Sequence, residues 1–340
     1  MIDSTIPMGT GGQKPSLPDR VFITGASGFI GRKLYERYQA LGCDVCGMDI
    51  HPDESRNVIA GDLTKPSVWK EHAAGCDLFI NTASLVSLAG EWSAYKAVSL
   101  AGVRHALDVA IAAGAKRFVH YSSIAAMGWD YEPGADERSP VAIGEDYRYG
   151  VAKGASEHTV LAAHAAGEID CTIIRPGDVY GPGSRPWLLE PLKLARSGKL
   201  ILPNRGQGIF TPVYIDDLVD GTILAAGLES GSGRIFILWG NEEISCRDFF
   251  SNHWRWAANK GRPPSLPLAA ALKLTRGIWW MNRAMKRADE TTPDIMLMFA
   301  RKGGYSIENA RKHLGWEPKV KLEDGLKNSE EWLREIGEIQ

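Results

Sequence analysis

Cysteine is scarce. Five in 340 residues, an odd number, cannot make a disulfide framework for a chain of this size. Cys43 and Cys46 form one CxxC, but no second pair accompanies it and "DVCGMD" reads as a buried strand, so zinc and thiol redox chemistry are set aside. The eight histidines include no HExxH and no pair four residues apart, and no protein-bound metal is expected. No apolar run approaches the roughly 20 residues that cross a bilayer, which argues against an integral membrane segment. Charge of one sign is lacking too: the formal net charge is -2, giving no footprint for nucleic acid. The opening stretch "MIDSTIPMGTGGQKPSLPDR" has no basic start before an apolar core, so residues 1–19 are expected to be a flexible leader and the location cytoplasmic.

What is present is a globular composition, 44% hydrophobic and 24% charged, with 37 glycines that fall at the ends of apolar runs. The length suits about two associated domains. Through the first half, "RVFITGA", "CDVCGMD", "NVIAGD", "CDLFINTAS", "KRFVHYSS" and "CTIIRPGD" read as strands buried on both faces. Helical patterns separate several of them, over residues 32–41, 92–113 and 149–166. Strands alternating with helices predict an α/β fold, a Rossmann-type doubly wound parallel sheet with its ligand site beyond the carboxyl ends of the strands. The dinucleotide-binding domain is expected over 20–176. A smaller mixed substrate lobe is expected over 177–340, with a helix at 188–197 and a stretch around 205–230 returning to the first domain.

"VFITGASGFIGRKL" places Gly25, Gly28 and Gly31 between an apolar strand and a helix start, with Ser27, Phe29 and Ile30 among them. In that context glycine permits the turn, the close approach of a pyrophosphate and the packing of helix on strand. The second strand ends at Asp49, an acid that can accept hydrogen bonds from ribose hydroxyls and would repel a 2'-phosphate. NAD is therefore favoured over NADP, with Arg32, His51 and Arg56 softening the preference.

Residues four apart share a helix face, so in "YRYGVAKGASEH" it is Tyr149, not Tyr147, that aligns with Lys153. Tyr147 is expected near the pocket mouth or in solvent. Upstream, "VHYSSIAAMG" brings Ser123 to a strand tip at the same edge. A free phenol, with pKa about 10, needs positive neighbours to act near neutrality, and Lys153 with an oxidised nicotinamide would supply them.

With these residues in view, the chain resembles the extended short-chain dehydrogenase/reductase family from about Arg20 onward. The resemblance lies in "TGASGFIG", "GDL", "NTAS", "HYSS", "YGVAK", "IIRPGDVYGPG", "VYIDDLVDG" and "ARKHLGWEP". It implies that Asp62 and Leu63 flank the adenine and that Asn81, Thr82 and Ala83 line the cofactor, with Pro176, Gly177 and Val179 near the nicotinamide. It implies Ser123, Tyr149 and Lys153 as the catalytic set, with Lys153 also on the nicotinamide ribose. Ser99 stands where the family often has asparagine, which puts a proton relay there in doubt. Ser84, Ile124 and Phe210 complete the expected substrate contacts.

Two features bear on the substrate. "IAAMG" after Ser123 lacks the acidic pair of the family's dehydratases, and Phe210 stands where sugar-nucleotide enzymes of the family place a phosphate-binding arginine. "LPLAAALKLTRGIWWMNRAMKRADETTPDIM" resembles the 3-beta-hydroxysteroid dehydrogenase branch, which implies a small apolar alcohol or ketone. Trp279 and Trp280 in that stretch, beside basic residues, either line an apolar pocket, touch a membrane surface or simply pack in a helix. Arg185, Arg196 and Arg205 keep a nucleotide-sugar epimerase open as an alternative. A non-catalytic NAD-sensing protein is the alternative from another class. The relatives also suggest a homodimer through the helices at 92–113 and 149–166.

Overall fold

A computed structural model describes residues 4–87, 89–144, 147–285 and 292–340. Its first part runs β1 (Arg20–Thr24), α1 (Phe29–Ala40), β2 (Asp44–Asp49), β3 (Val58–Ala60) and β4 (Leu78–Asn81). Next comes α2 (Trp92–Tyr95), which passes through a π-helical turn at Lys96–Ala101 into α3 (Gly102–Ala113). β5 (Arg117–Tyr121), α4 (Arg148–Ala165) and β6 (Asp170–Pro176) follow, then β7 (Asp178–Tyr180), α5 (Glu190–Arg196), β8 (Ile209–Phe210) and β9 (Pro212–Tyr214). The remainder is α6 (Ile215–Gly227), β10 (Arg234–Leu238), β11 (Ile244–Ser245), α7 (Cys246–Trp256), α8 (Leu268–Ala284), α9 (Pro293–Met298), α10 (Glu308–Leu314) and α11 (Leu322–Glu335).

Among the described residues seven strands form one parallel sheet in the order β10-β6-β5-β4-β1-β2-β3. The six runs read as strands are β1 to β6. The seventh, β10, comes from the stretch assigned to the second lobe, and it pairs in parallel with β6. Successive side chains of a strand face opposite sides. Phe22 of β1 accordingly joins Cys46, Phe79, Phe118, Leu107 and Val160 beneath α3 and α4. Val21 and Ile23 join Leu34, Val119 and Ile223 on the α1 and α6 side. Both faces are covered, which is why the strands read as nearly continuous apolar runs.

All the sheet connections are crossovers, so every strand ends at the same edge. The region expected as a leader lies against that framework: Ser16 N donates to Gly227 O at 2.9 Å, and Arg37 donates to the carbonyl of Thr5 at 2.6 Å. The five cysteines are buried thiols, and among the described residues no group of histidine, cysteine or acid could hold a metal. No described helix is long and apolar enough to cross a membrane.

A buried ion pair joins α4 to the sheet. Glu157 accepts from Arg175 of β6 through both carboxylate oxygens, at 2.8 and 2.7 Å, and also from the Ser122 hydroxyl. Both side chains are almost wholly buried. Breaking such a pair leaves an uncompensated charge inside the protein. Glu157→Gln is predicted to lower the free energy of unfolding in urea by about 3–5 kcal/mol; a change below about 1 kcal/mol would mean that the pair does not hold α4 in place.

Candidate active site

The glycine loop joins β1 to α1. Gly25 has φ +72°, in the left-handed region, and a Cβ there would come within 2.7 Å of the Thr82 hydroxyl. A Cβ on Gly31 would sit 2.1 Å from the Gly25 carbonyl oxygen, so only glycine lets α1 start this close to the strand. Gly28 is the N-cap residue with no side-chain cap, and Phe29 and Ile30 begin the helix. The loop therefore leaves helix N-terminal N–H groups for an anion.

Asp49, buried at the end of β2, accepts from Ser27 N at 3.1 Å and from His51 N at 2.9 Å. Its carboxylate is thus oriented by the loop it stands beside. Arg56 pairs with Asp53 at 2.8 Å and Arg32 with Glu36 at 3.0 Å, so both guanidiniums already have acidic partners. Asp62 accepts from Thr64 at 2.8 Å, and Leu63 is buried beneath the Gly102 turn of α3.

At the centre of the edge, a line of hydrogen bonds crosses the sheet. The Thr24 hydroxyl donates to Asn81 Oδ1 at 2.6 Å, which leaves the Asn81 amide to donate to His120 Nδ1 at 3.1 Å. His120 Nε2 must then carry the proton and donate to Ser156 Oγ at 2.9 Å, while Ser156 donates to the Lys153 carbonyl at 2.7 Å. Every donor along the line finds one acceptor. Thr82 donates to the Thr24 carbonyl at 2.7 Å, and Ala83 and Ser84 continue out of β4.

The line ends under the residues singled out in α4. The buried Lys153 ammonium donates to the Tyr121 carbonyl at 2.8 Å and lies 6.0 Å from the centre of the Tyr149 ring. Tyr149 stands close enough to Ser123 for the serine to act on its phenol, and Ser123 Oγ accepts from Ala125 N at 3.1 Å at the start of the turn Ile124–Met127. Burial pushes the Tyr149 phenol up to about 12, with Ser123 acting in the opposite direction and Tyr95 reinforcing the rise. Burial pushes Lys153 down to about 8, against the pull of the Glu157 carboxylate. Burial thus favours the protonated phenol, and positive charge beside it favours release of the proton.

The structure brings the glycine loop, Asp49, Asn81, Thr82, Ser123, Tyr149 and Lys153 to one edge. Ser99 is buried in the π-helical turn, which packs against α4. Pro176 ends β6 and Val179 lies in β7, with Gly177 between them; a Cβ on Gly177 would come within 2.5 Å of the Thr211 carbonyl. Phe210, expected against substrate, is fully buried with its ring 4.1 Å from Phe249 and 4.9 Å from Trp187. It builds the aromatic core of the lobe and presents no surface to a pocket. Tyr147 also departs from expectation. Its ring lies 4.6 Å from Trp129, and its hydroxyl is buried with no hydrogen-bond partner among the described residues. Arg185 and Arg196 form exposed pairs with Glu190 and Glu338.

Sequence reasoning missed His120, Glu157, Tyr95 and Trp129. Glu157 was within reach, because it follows Lys153 by the same four residues that separate Lys153 from Tyr149. His120 left only the general signal that a histidine inside a buried strand must find partners.

A three-glycine loop, an acid closing the second strand and a Ser-Tyr-Lys group at the edge of a parallel sheet define a dinucleotide-dependent oxidoreductase. Residues 21–238 match the model of the NAD dependent epimerase/dehydratase family, and the chain belongs to that family. It is 24% identical over 319 residues to a 4-hydroxy-2-methyl-3-oxo-4-farnesyl-3,4-dihydroquinoline-1-oxide ketoreductase of Stigmatella aurantiaca, covering 90% of this chain and 94% of the other. A decarboxylating sterol-4-alpha-carboxylate 3-dehydrogenase of Candida albicans is 25% identical over 352 residues, covering 93% and 97%. Among solved structures, a UDP-glucose 4-epimerase of Thermotoga maritima superimposes with a TM-score of 0.75 at 21% identity, covering 93% and 99%.

Burial holds His120 well below its ordinary pKa, and the nearby Lys153 charge adds to the effect. The unfolded chain takes up this proton near pH 6.5 and the folded one resists it, so this histidine's contribution to stability is lost as the pH falls below 6.5. Relative to the parent, His120→Gln is expected to flatten the dependence of unfolding free energy on pH below 6.5 by about 1.4 kcal/mol per unit. Parallel curves for the two proteins would place the proton elsewhere.

Proposed function

We propose that the protein moves a hydride between NAD and the carbinol or carbonyl carbon of a small apolar secondary alcohol or ketone, with Tyr149 as the acid/base. The observation that carries this is the assembly of Ser123, Tyr149 and Lys153 on one side of the edge that also bears the glycine loop. The cradle fits a dinucleotide: Gly25 and Gly31 have no room for a Cβ, and Asp49 is held with its carboxylate beside the loop. When bound, NAD supplies the hydride acceptor or donor and a positive charge in its oxidised form.

On this reading Gly28 and the α1 N-terminus hold the pyrophosphate, and Asp49 takes the adenosine ribose hydroxyls. Asp62 and Leu63 border the adenine, while Asn81, Thr82, Ala83, Ser99, Pro176, Gly177 and Val179 border the rest of the cofactor. Lys153 reaches the nicotinamide ribose. Ser123 donates to the substrate oxygen, and Tyr149 gives or takes the hydroxyl proton at that same oxygen. Ser84 and Ile124 complete the substrate wall. Positioning and the nearby charges account for the acceleration.

The names of the ketoreductase and the sterol dehydrogenase above, one for a farnesyl-bearing ring and one for a sterol, support an apolar substrate. Thermal unfolding of the NADH-bound protein separates the readings: a 3-ketosteroid is expected to raise the midpoint and UDP to leave it unchanged. The reverse result would make the protein a nucleotide-sugar epimerase.

Two substitutions test the assigned roles. Tyr149→Phe is expected to lower kcat by about 10²–10⁴-fold while NADH binding is retained; retained turnover would remove Tyr149 from the chemistry. Asp49→Asn removes the charge that would face a 2'-phosphate. It is expected to tighten NADP binding by at least about tenfold, measured by fluorescence titration, and no change would show that Asp49 does not select the cofactor.

A further inference from the structure

The α8 helix presents a second apolar face that no other described residue covers. Ala271 and Thr275 bury its inner side. At 100° per residue, Ala270, Leu274, Gly277, Met281 and Ala284, with Met285 just past the end, fall in one outward arc of roughly 100°. All six are exposed, and the large ones strongly so: Leu274 by 48%, Met281 by 53% and Met285 by 43%. Trp280, 65% exposed, stands on the flank of this arc beside Lys273, Arg276 and Arg283.

The charge on this helix has one sign. From Leu268 to Ala284 there is no aspartate or glutamate, although the whole chain carries -2. Among the described residues Lys273 and Arg276 form no ion pair, and Arg283 meets Glu91 at 3.8 Å and lies 5.5 Å from the centre of the Trp279 ring. Glu91 also meets Arg148 of α4 at 3.4 Å, so the end of α8 borders the helix that carries Tyr149 and Lys153. Val86, exposed by 73%, lies five residues before Glu91, in the segment that leaves β4.

We propose that α8 docks this face on an anionic lipid surface, with Leu274, Trp280, Met281 and Met285 entering the interfacial layer and Lys273 and Arg276 meeting the headgroups. An apolar stripe, a tryptophan and a basic flank on one helix are what such a surface recognises. A second copy of the chain fits less well, because its own α8 offers no acid to receive the basic row. Docking there sets the mouth of the candidate active site at the membrane, where an apolar alcohol or ketone is concentrated.

The test is co-sedimentation of the full chain with vesicles of phosphatidylcholine alone and of phosphatidylcholine mixed with phosphatidylglycerol. Binding is expected to the mixed vesicles only, to weaken with added salt, and to shift tryptophan emission to the blue. Lys273→Gln and Arg276→Gln should each lower the partition coefficient about fivefold. Met281→Asp should abolish binding while NADH affinity, which reports an intact fold, is unchanged. The proposal is overturned if mixed vesicles do not bind, if the variants bind like the parent, or if sedimentation velocity shows a dimer that Met281→Asp dissociates in the absence of any vesicle binding. None of these outcomes depends on which alcohol is turned over, so failure here leaves the reading of the active site intact.

Discussion

The line of hydrogen bonds from Thr24 through Asn81, His120 and Ser156 to the Lys153 carbonyl sets where the α4 helix stands relative to the sheet. Apolar packing under α3 and α4 is strong but tolerates small slides, since burial of area has no direction. The polar line has direction. It runs with one donor for each acceptor, and a shift of α4 by one residue would leave buried polar groups unpaired, at a cost of about 1–3 kcal/mol each. The Glu157–Arg175 pair fixes the same helix at the residue next to Ser156. The two anchors hold the turn Lys153–Glu157, and the turn before it carries Tyr149.

That placement explains the electrostatics of the site. Tyr149 and Lys153 are withdrawn from water far enough that burial dominates both, raising the phenol and lowering the amine. A half-buried phenol beside Ser123, raised by burial, favours its protonated form. The α4 helix presents it at the edge where the glycine loop, Asp49 and Asn81 converge, so on the proposed reading proton transfer and dinucleotide binding share one location. Phe210, Phe249 and Trp187 pack their rings together in an aromatic interior of the second half of the chain.

Much of this was legible in the residues. Six of the seven strands announced themselves because strands buried on both faces must be apolar throughout, and the glycine loop because only glycine survives the approach of Gly31 to Gly25. β10 was not, since "RIFIL" lies beyond the break in the strand-helix rhythm, and only its pairing with β6 reveals its sheet. Tyr149 and Lys153 followed from helical spacing. Tyr147 and Phe210 did not, because whether an aromatic ring lines a cavity or fills a core depends on residues far away in the chain: Trp129 for one, Phe249 and Trp187 for the other. His120 was hidden for a related reason. Its partners sit on β4 and α4, 39 and 36 residues away.

The central claim is that the Tyr149 phenol becomes a usable base only when the oxidised cofactor adds its charge to that of Lys153. Titration of tyrosinate absorbance, with and without saturating NAD, tests it directly. The account predicts that one tyrosine moves from about 12 toward neutrality when NAD is present, and that the moving group is missing in Tyr149→Phe. A titration curve that NAD leaves unchanged, or a shift that survives in Tyr149→Phe, would contradict it.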